Sequence, residues 1–143
     1  MSAARWLLAG VLAGATALAS AQQALDPNSV VNAGVAATKL LDEGRYAEIW
    51  DGASAAMKKV AAKAQFVDAV GKARQAAGAT APTERVWIDV WRRDEAGSAQ
   101  LPAGVYMNVT YRTVFAKGLV ARELVSFRLD EDKTWRFTGY VLN

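Results

Sequence analysis

The chain of 143 residues contains no cysteine, no histidine and only three prolines. Each absence removes a class of chemistry. Without cysteine no disulfide restrains the unfolded chain and no thiol can take a lipid, so stability has to come from packing alone. Without histidine and cysteine together, Ser-His-Asp and Cys-His arrangements are excluded, as is a zinc site built on imidazole or thiolate. No phosphate-binding loop or dinucleotide glycine fingerprint occurs, because Gly71, Gly78, Gly97 and Gly104 stand apart from one another. Charge of one sign is also scarce: the formal net charge is +3. The densest basic points, Lys58-Lys59 with Lys63 and Arg92-Arg93, do not interleave with aromatics as a nucleic-acid groove would. Asp130-Glu131-Asp132 lacks the spaced ligands and turn glycine of a calcium loop and reads as a solvated turn. No cofactor, metal or nucleic-acid partner is expected.

What is present starts with an export leader over residues 1–21: a basic start at Arg5, an apolar stretch from Trp6 to Leu18, and Ala19-Ser20-Ala21 ahead of Gln22. The stretch falls short of the roughly 20 apolar residues of a spanning helix and is diluted by Gly10 and Gly14. Cleavage after Ala21 is therefore expected, giving an exported chain with no membrane attachment. Residues 22–143 are then one domain, with a charge of +2 once Arg5 is lost from the 17 basic residues set against 14 acidic ones.

Two periodicities divide that domain near Pro82. Val31, Val35 and Thr38 have helical spacing, with Asn28 or Ser29 as the cap and Gly44 as the stop. Tyr46, Ile49, Trp50, Ala53, Met57 and Val60 form a second helical stripe, and Phe66, Val70, Ala73 and Ala77 a third that ends at Gly78. Beyond Pro82 the period falls to two. Val86, Ile88 and Val90 alternate with Trp87, Asp89 and Trp91, and a long strand runs from Val105 to Phe115. Two more strands carry Val125, Phe127 and Leu129, then Trp135, Phe137, Gly139 and Val141. This order predicts an α+β fold, three helices on one face of a four-stranded antiparallel meander. Trp50 and Trp135 are expected between helix and sheet.

Tyr46-Ala47-Glu48-Ile49-Trp50, the helix with Arg74 and Gly78, the strand residues Tyr111, Thr113 and Phe115 with Lys117, Glu123, and the ending Trp135-Arg136-Phe137-Thr138-Gly139-Tyr140 resemble the bacterial exported domain-of-unknown-function family 4019. The resemblance covers about residues 33 to 142. It implies periplasmic location, no assigned activity, and a helix-then-meander order similar to the cystatin-like folds of nuclear transport factor 2 and ketosteroid isomerase. Such a fold is a cone with a pocket between helices and curved sheet.

The acid of greatest interest is Glu123. An odd-numbered loop around Gly118, pairing Phe115 with Ala121, places Glu123 beneath the helices with Val125 and Phe127. A two-residue loop would instead set it across from Arg112 on the exposed face. The expected ligand-binding residues are Tyr46, Trp50, Tyr111, Phe115 and Glu123, lining a groove between the second helix and the sheet and taking a small apolar or aromatic molecule. Trp87 and Trp91, with Tyr106 and Tyr140, are expected on the outer face as an interface, such as a sheet-to-sheet homodimer. The expected function is an exported non-enzymatic module binding a small ligand or a protein. One alternative is a small isomerase-type enzyme using Glu123 as the proton carrier and Tyr111 as an oxyanion stabiliser. The other is a purely structural dimer subunit.

Overall fold

The computed structural model describes residues 26–143; the expected export leader and the expected cleavage site after Ala21 lie outside them. Helix α1 (Pro27–Asp42) begins on the Asp26 side chain, which accepts the Asn28 amide at 2.9 Å, with Pro27 supplying the preset first-turn φ. The cap therefore precedes the expected Asn28 or Ser29, because an aspartate ahead of a proline serves both needs. Instead of three helices there are four among the described residues. The expected second helix is split into α2 (Tyr46–Asp51) and α3 (Ala55–Val60), followed by α4 (Lys63–Ala76).

The break has a local cause. Gly52 caps α2, and Ser54 is withdrawn to zero exposure, where its amide donates to the Phe137 carbonyl at 2.9 Å and its hydroxyl accepts the Met57 amide at 3.1 Å. The sheet thus takes a backbone donor that a continuous helix would have used itself. One outward carbonyl of the last strand is covered by the same contact.

Strands β1 (Pro82–Glu95), β2 (Gly104–Phe115), β3 (Val120–Leu129) and β4 (Trp135–Leu142) form one antiparallel sheet in sequence order, with β1 and β4 at its edges. The α+β meander is thus as the alternation predicted. Between helices and sheet lies a core of Val30, Leu41, Ile49, Met57, Phe66, Val70, Val109, Val125, Phe127 and Phe137. Trp50 and Trp135 are partly buried and pack against it. No helix of the described residues is long and apolar enough to cross a membrane.

Two bulges move side chains from their predicted faces. In β4, Gly139 faces Ser126 while Phe137 faces Phe127, so Thr138 is an extra residue and parity flips after it. Phe137 and Tyr140 consequently both point at the helices, and Val141 is turned outward at 45% exposure. In β1, Trp87 faces Tyr111 and Asp89 faces Thr110, leaving Ile88 as the extra residue. Trp87 therefore lies on the helix side and Trp91, opposite Asn108, on the other, which separates the two members of the expected interface. Tyr106 stays on the outer side but is buried, its hydroxyl donating to the Pro102 carbonyl of the β1–β2 loop at 2.6 Å.

Candidate functional site

The β2–β3 hairpin turns through Ala116–Gly118, an odd loop in which Lys117 and Gly118 both take left-handed φ of 67° and 77°. The Phe115 amide closes it on the Leu119 carbonyl, and the ladder continues with Val114 opposite Val120 and Arg112 opposite Arg122. The parity is the one predicted, but the register is slipped by two residues. Glu123 faces Tyr111 rather than Thr113, on the helix-covered side and away from Arg112.

Glu123 is entirely buried. Its Oε1 accepts Arg74 Nη1 at 3.2 Å and the Tyr140 hydroxyl at 2.6 Å, while its Oε2 accepts Arg85 Nε at 2.8 Å and the Thr113 hydroxyl. Asp42, at the end of α1, closes the other side: it accepts Arg74 Nη2 at 3.0 Å and both terminal nitrogens of Arg85 at 2.7 and 2.9 Å. Arg74 also donates to the Tyr140 oxygen at 2.8 Å, and its guanidinium lies 5.4 Å from the Phe115 ring centroid. Two cations and two anions thus neutralise each other in the interior, tying α1 and α4 to all four strands.

Burial alone would push the Glu123 carboxyl up, but the hydrogen bonds from Thr113, Tyr140 and Arg85 outweigh it and hold the group below its ordinary value. The same balance holds Arg74 and Arg85 above theirs: burial opposes the charge, and their carboxylate and tyrosine partners restore it. Tyr140 is driven upward by burial and by donating to Glu123.

Chemically, this arrangement resists proton transfer. A general base needs a free lone pair and a pKa near the working pH. Glu123 has both oxygens filled and its affinity for a proton lowered. Tyr111, the other member of the enzyme reading, has its hydroxyl buried without a hydrogen-bond partner, and burial pushes its pKa up to about 12.

The five predicted ligand residues do not line one groove. Phe115 and Glu123 have zero exposure and belong to the filled interior, whereas Tyr46 and Trp50 are half-buried beside it. Trp50 donates its indole N–H to the Ala61 carbonyl at 2.9 Å, and Lys58 and Lys63 lie over its ring. Open space lies on either flank of the ion cluster. One cleft, of about 420 Å³, runs between α1 and β1, with Tyr111, Asp42 and Arg85 on one wall and exposed Trp87, Val35 and Lys39 at its rim. The other, of about 390 Å³, runs between α3, α4 and β4 and is mostly apolar, bounded by Met57, Phe66, Ala69, Ala73, Thr138 and Tyr140. The β3–β4 turn is not simply solvated either. Asp130 is buried and receives Arg128 at 2.9 Å and Arg136 at 3.2 Å.

Asp42 and Arg85 escaped sequence reasoning. Arg74 and Thr113 stand out in the sequence only among the residues that carry the family resemblance. A signal did exist: Arg74 continues the Phe66 and Val70 spacing of the buried α4 stripe, and Glu123 shares the apolar parity of Ala121 and Val125. Opposite charges standing on two apolar faces that pack together are expected to meet.

The chain, with its helices followed by a four-stranded meander pinned by a neutral buried ion cluster, is of the α+β class. It belongs to the family described as protein of unknown function (DUF4019), whose model matches residues 33–140. No curated protein and no solved structure matches it.

Proposed function

We propose that the protein is an exported, non-enzymatic binding module that holds a small apolar or aromatic molecule in the cleft between α3, α4 and β4. One observation carries the reading. α4 presents Phe66, Ala69, Val70 and Ala73 at i, i+3, i+4 and i+7, and where the large residues reach the core the two alanines leave a hollow beside β4. Its volume of about 390 Å³ is in the range of small-molecule sites, and its walls are apolar with Tyr140 as the polar marker at one end. In this reading the cystatin-like cone is filled at its centre by the ion cluster, and the ligand sits at the β4 side. The leader over residues 1–21 supports export to the periplasm. The isomerase alternative draws no support from Glu123, whose oxygens are all engaged.

The test uses N-phenyl-1-naphthylamine, whose fluorescence rises in an apolar site. Ala69 and Ala73 are exposed, so phenylalanine fits at either without disturbing the core. Ala69→Phe and Ala73→Phe should each weaken probe binding at least about tenfold while leaving the melting temperature within a few degrees. Equal binding by wild type and both variants, or no binding at all, would overturn the assignment.

A further inference from the structure

We infer that the outer edge of β1 is a homodimer contact, in which two copies pair antiparallel about a two-fold axis at Trp91. This stands apart from the ligand cleft, which lies at the opposite edge of the sheet. β1 is 14 residues long, and among the described residues it is paired on one side only, with β2. An unpaired strand edge is a row of backbone donors and acceptors awaiting a partner.

The side chains select which partner. After the Ile88 bulge, Asp89, Trp91 and Arg93 alternate on the outer face, opposite Thr110, Asn108 and Tyr106. Trp91 is 41% exposed, a large apolar surface between an anion and a cation. Read antiparallel against itself, this triplet is complementary. Asp89 of one copy meets Arg93 of the other, the second copy's Asp89 meets Arg93 of the first, and the two Trp91 side chains face each other on the axis.

Neighbouring registers fail. A dyad perpendicular to the sheet keeps outer residues opposite outer residues, so shifts come in steps of two. One such step puts Asp89 across from Glu95, a like-charge pair, and the other puts it across from Trp91. Asp89 is also poorly matched within its own chain: its Oδ2 comes no nearer a cation than 4.0 Å from Arg122, and its Oδ1 is buried without a hydrogen bond. Arg93, itself half exposed, has a pairing with the largely covered Glu95 to give up. Pairing over Asp89 to Arg93 is short, so the dimer is a reversible one.

Sedimentation equilibrium of the purified protein tests this through charge reversal. Asp89→Arg should set the introduced guanidinium against Arg93 of the other copy twice per dimer and weaken association at least about tenfold, and Arg93→Asp should do the same with two carboxylates. The double variant D89R/R93D restores opposite charges in swapped positions and should recover affinity to within about threefold of wild type. Circular dichroism confirms that each variant is folded. A wild-type chain that remains monomeric up to about 1 mM would overturn the proposal, as would a dimer indifferent to Asp89→Arg. So would a double variant no better than the singles.

Discussion

Replacing Glu123 by glutamine changes one oxygen to an amide nitrogen and asks the interior to accept the difference. In the native cluster each carboxylate oxygen receives two donors, one of them a guanidinium nitrogen in both cases. A glutamine amide must point its NH2 either at Arg74 and Tyr140 or at Arg85 and Thr113, so it meets a guanidinium, which can only donate, whichever way it turns. Two guanidiniums are then left with Asp42 as their only anion. Breaking a buried pair from one side costs about 3 to 5 kcal/mol, because the desolvation of the surviving charges is no longer offset. Against the roughly 5 to 15 kcal/mol that holds a domain folded, that is a large share, and for a chain of this length it corresponds to a fall in Tm of about 10 to 20 °C. Urea titration followed by tryptophan fluorescence reads the loss directly. The pH dependence gives an independent sign. Glu123 sits below its ordinary value of 4.5, so its stabilisation is present above that value and is lost as pH falls towards the folded one. The gap between wild type and Glu123→Gln should therefore be constant near neutrality and narrow below pH 4.5. A loss smaller than about 1 kcal/mol, or a gap that does not narrow in acid, would refute the reasoning.

The Tyr111 oxygen offers a cleaner double-mutant cycle, because a methyl placed on Gly34 would overlap it and lie 3.5 Å from the adjoining ring carbon. Gly34→Ala should cost about 1 to 3 kcal/mol, Tyr111→Phe should be neutral or stabilising since it removes an unpartnered buried hydroxyl, and the combination should recover most of the loss; equal penalties for Gly34→Ala in both backgrounds would dismiss the clash. In alkali, Tyr111 and Tyr140 are held neutral by burial, so their stabilisation is present below the ordinary value of 10 and fades as pH rises through their folded values. Their phenolate absorbance should appear late and together with loss of native fluorescence, whereas titration near pH 10 in a folded protein would show that the two hydroxyls meet solvent.

The strand half of the molecule was readable because alternation is a local signal and each hairpin preserves it. Parity around Gly118 followed from matching apolar faces, which is why Glu123 could be placed under the helices. What alternation does not show is an extra residue. Thr138 and Ile88 each leave the hydrophobic pattern plausible on either side of the bulge, and the faces of Tyr140 and Trp87 were inverted as a result. The break at Ser54 was hidden for a similar reason: α2 and α3 share a continuous apolar stripe, and the donor that separates them is claimed by β4, the last strand of the chain. The predicted groove failed on charge rather than on hydrophobicity. A cationic partner for Glu123 is expected from the sequence at the rim of a groove, but which cations meet it is set by the tertiary fold, and the space around it is filled by side chains from α1, α4 and β1.

The ion cluster also has a consequence for the order of folding events. Its bonds span 32 residues between Asp42 and Arg74, 43 between Asp42 and Arg85, 49 between Arg74 and Glu123, and 66 between Arg74 and Tyr140. None of these four is a local contact, unlike the Thr113–Glu123 bond within the β2–β3 hairpin, and each charge becomes tolerable in the interior only when the others have arrived. Loop closure over such distances has to be met before any of the pairing is gained, which places the cluster late in folding and slows the approach to it. A chain lacking β4 would hold Glu123 and Arg74 without the Tyr140 hydroxyl between them and without the strand that shields them. Low φ-values at Asp42, Arg74 and Tyr140 are the outcome expected of a cluster whose assembly waits on the last strand.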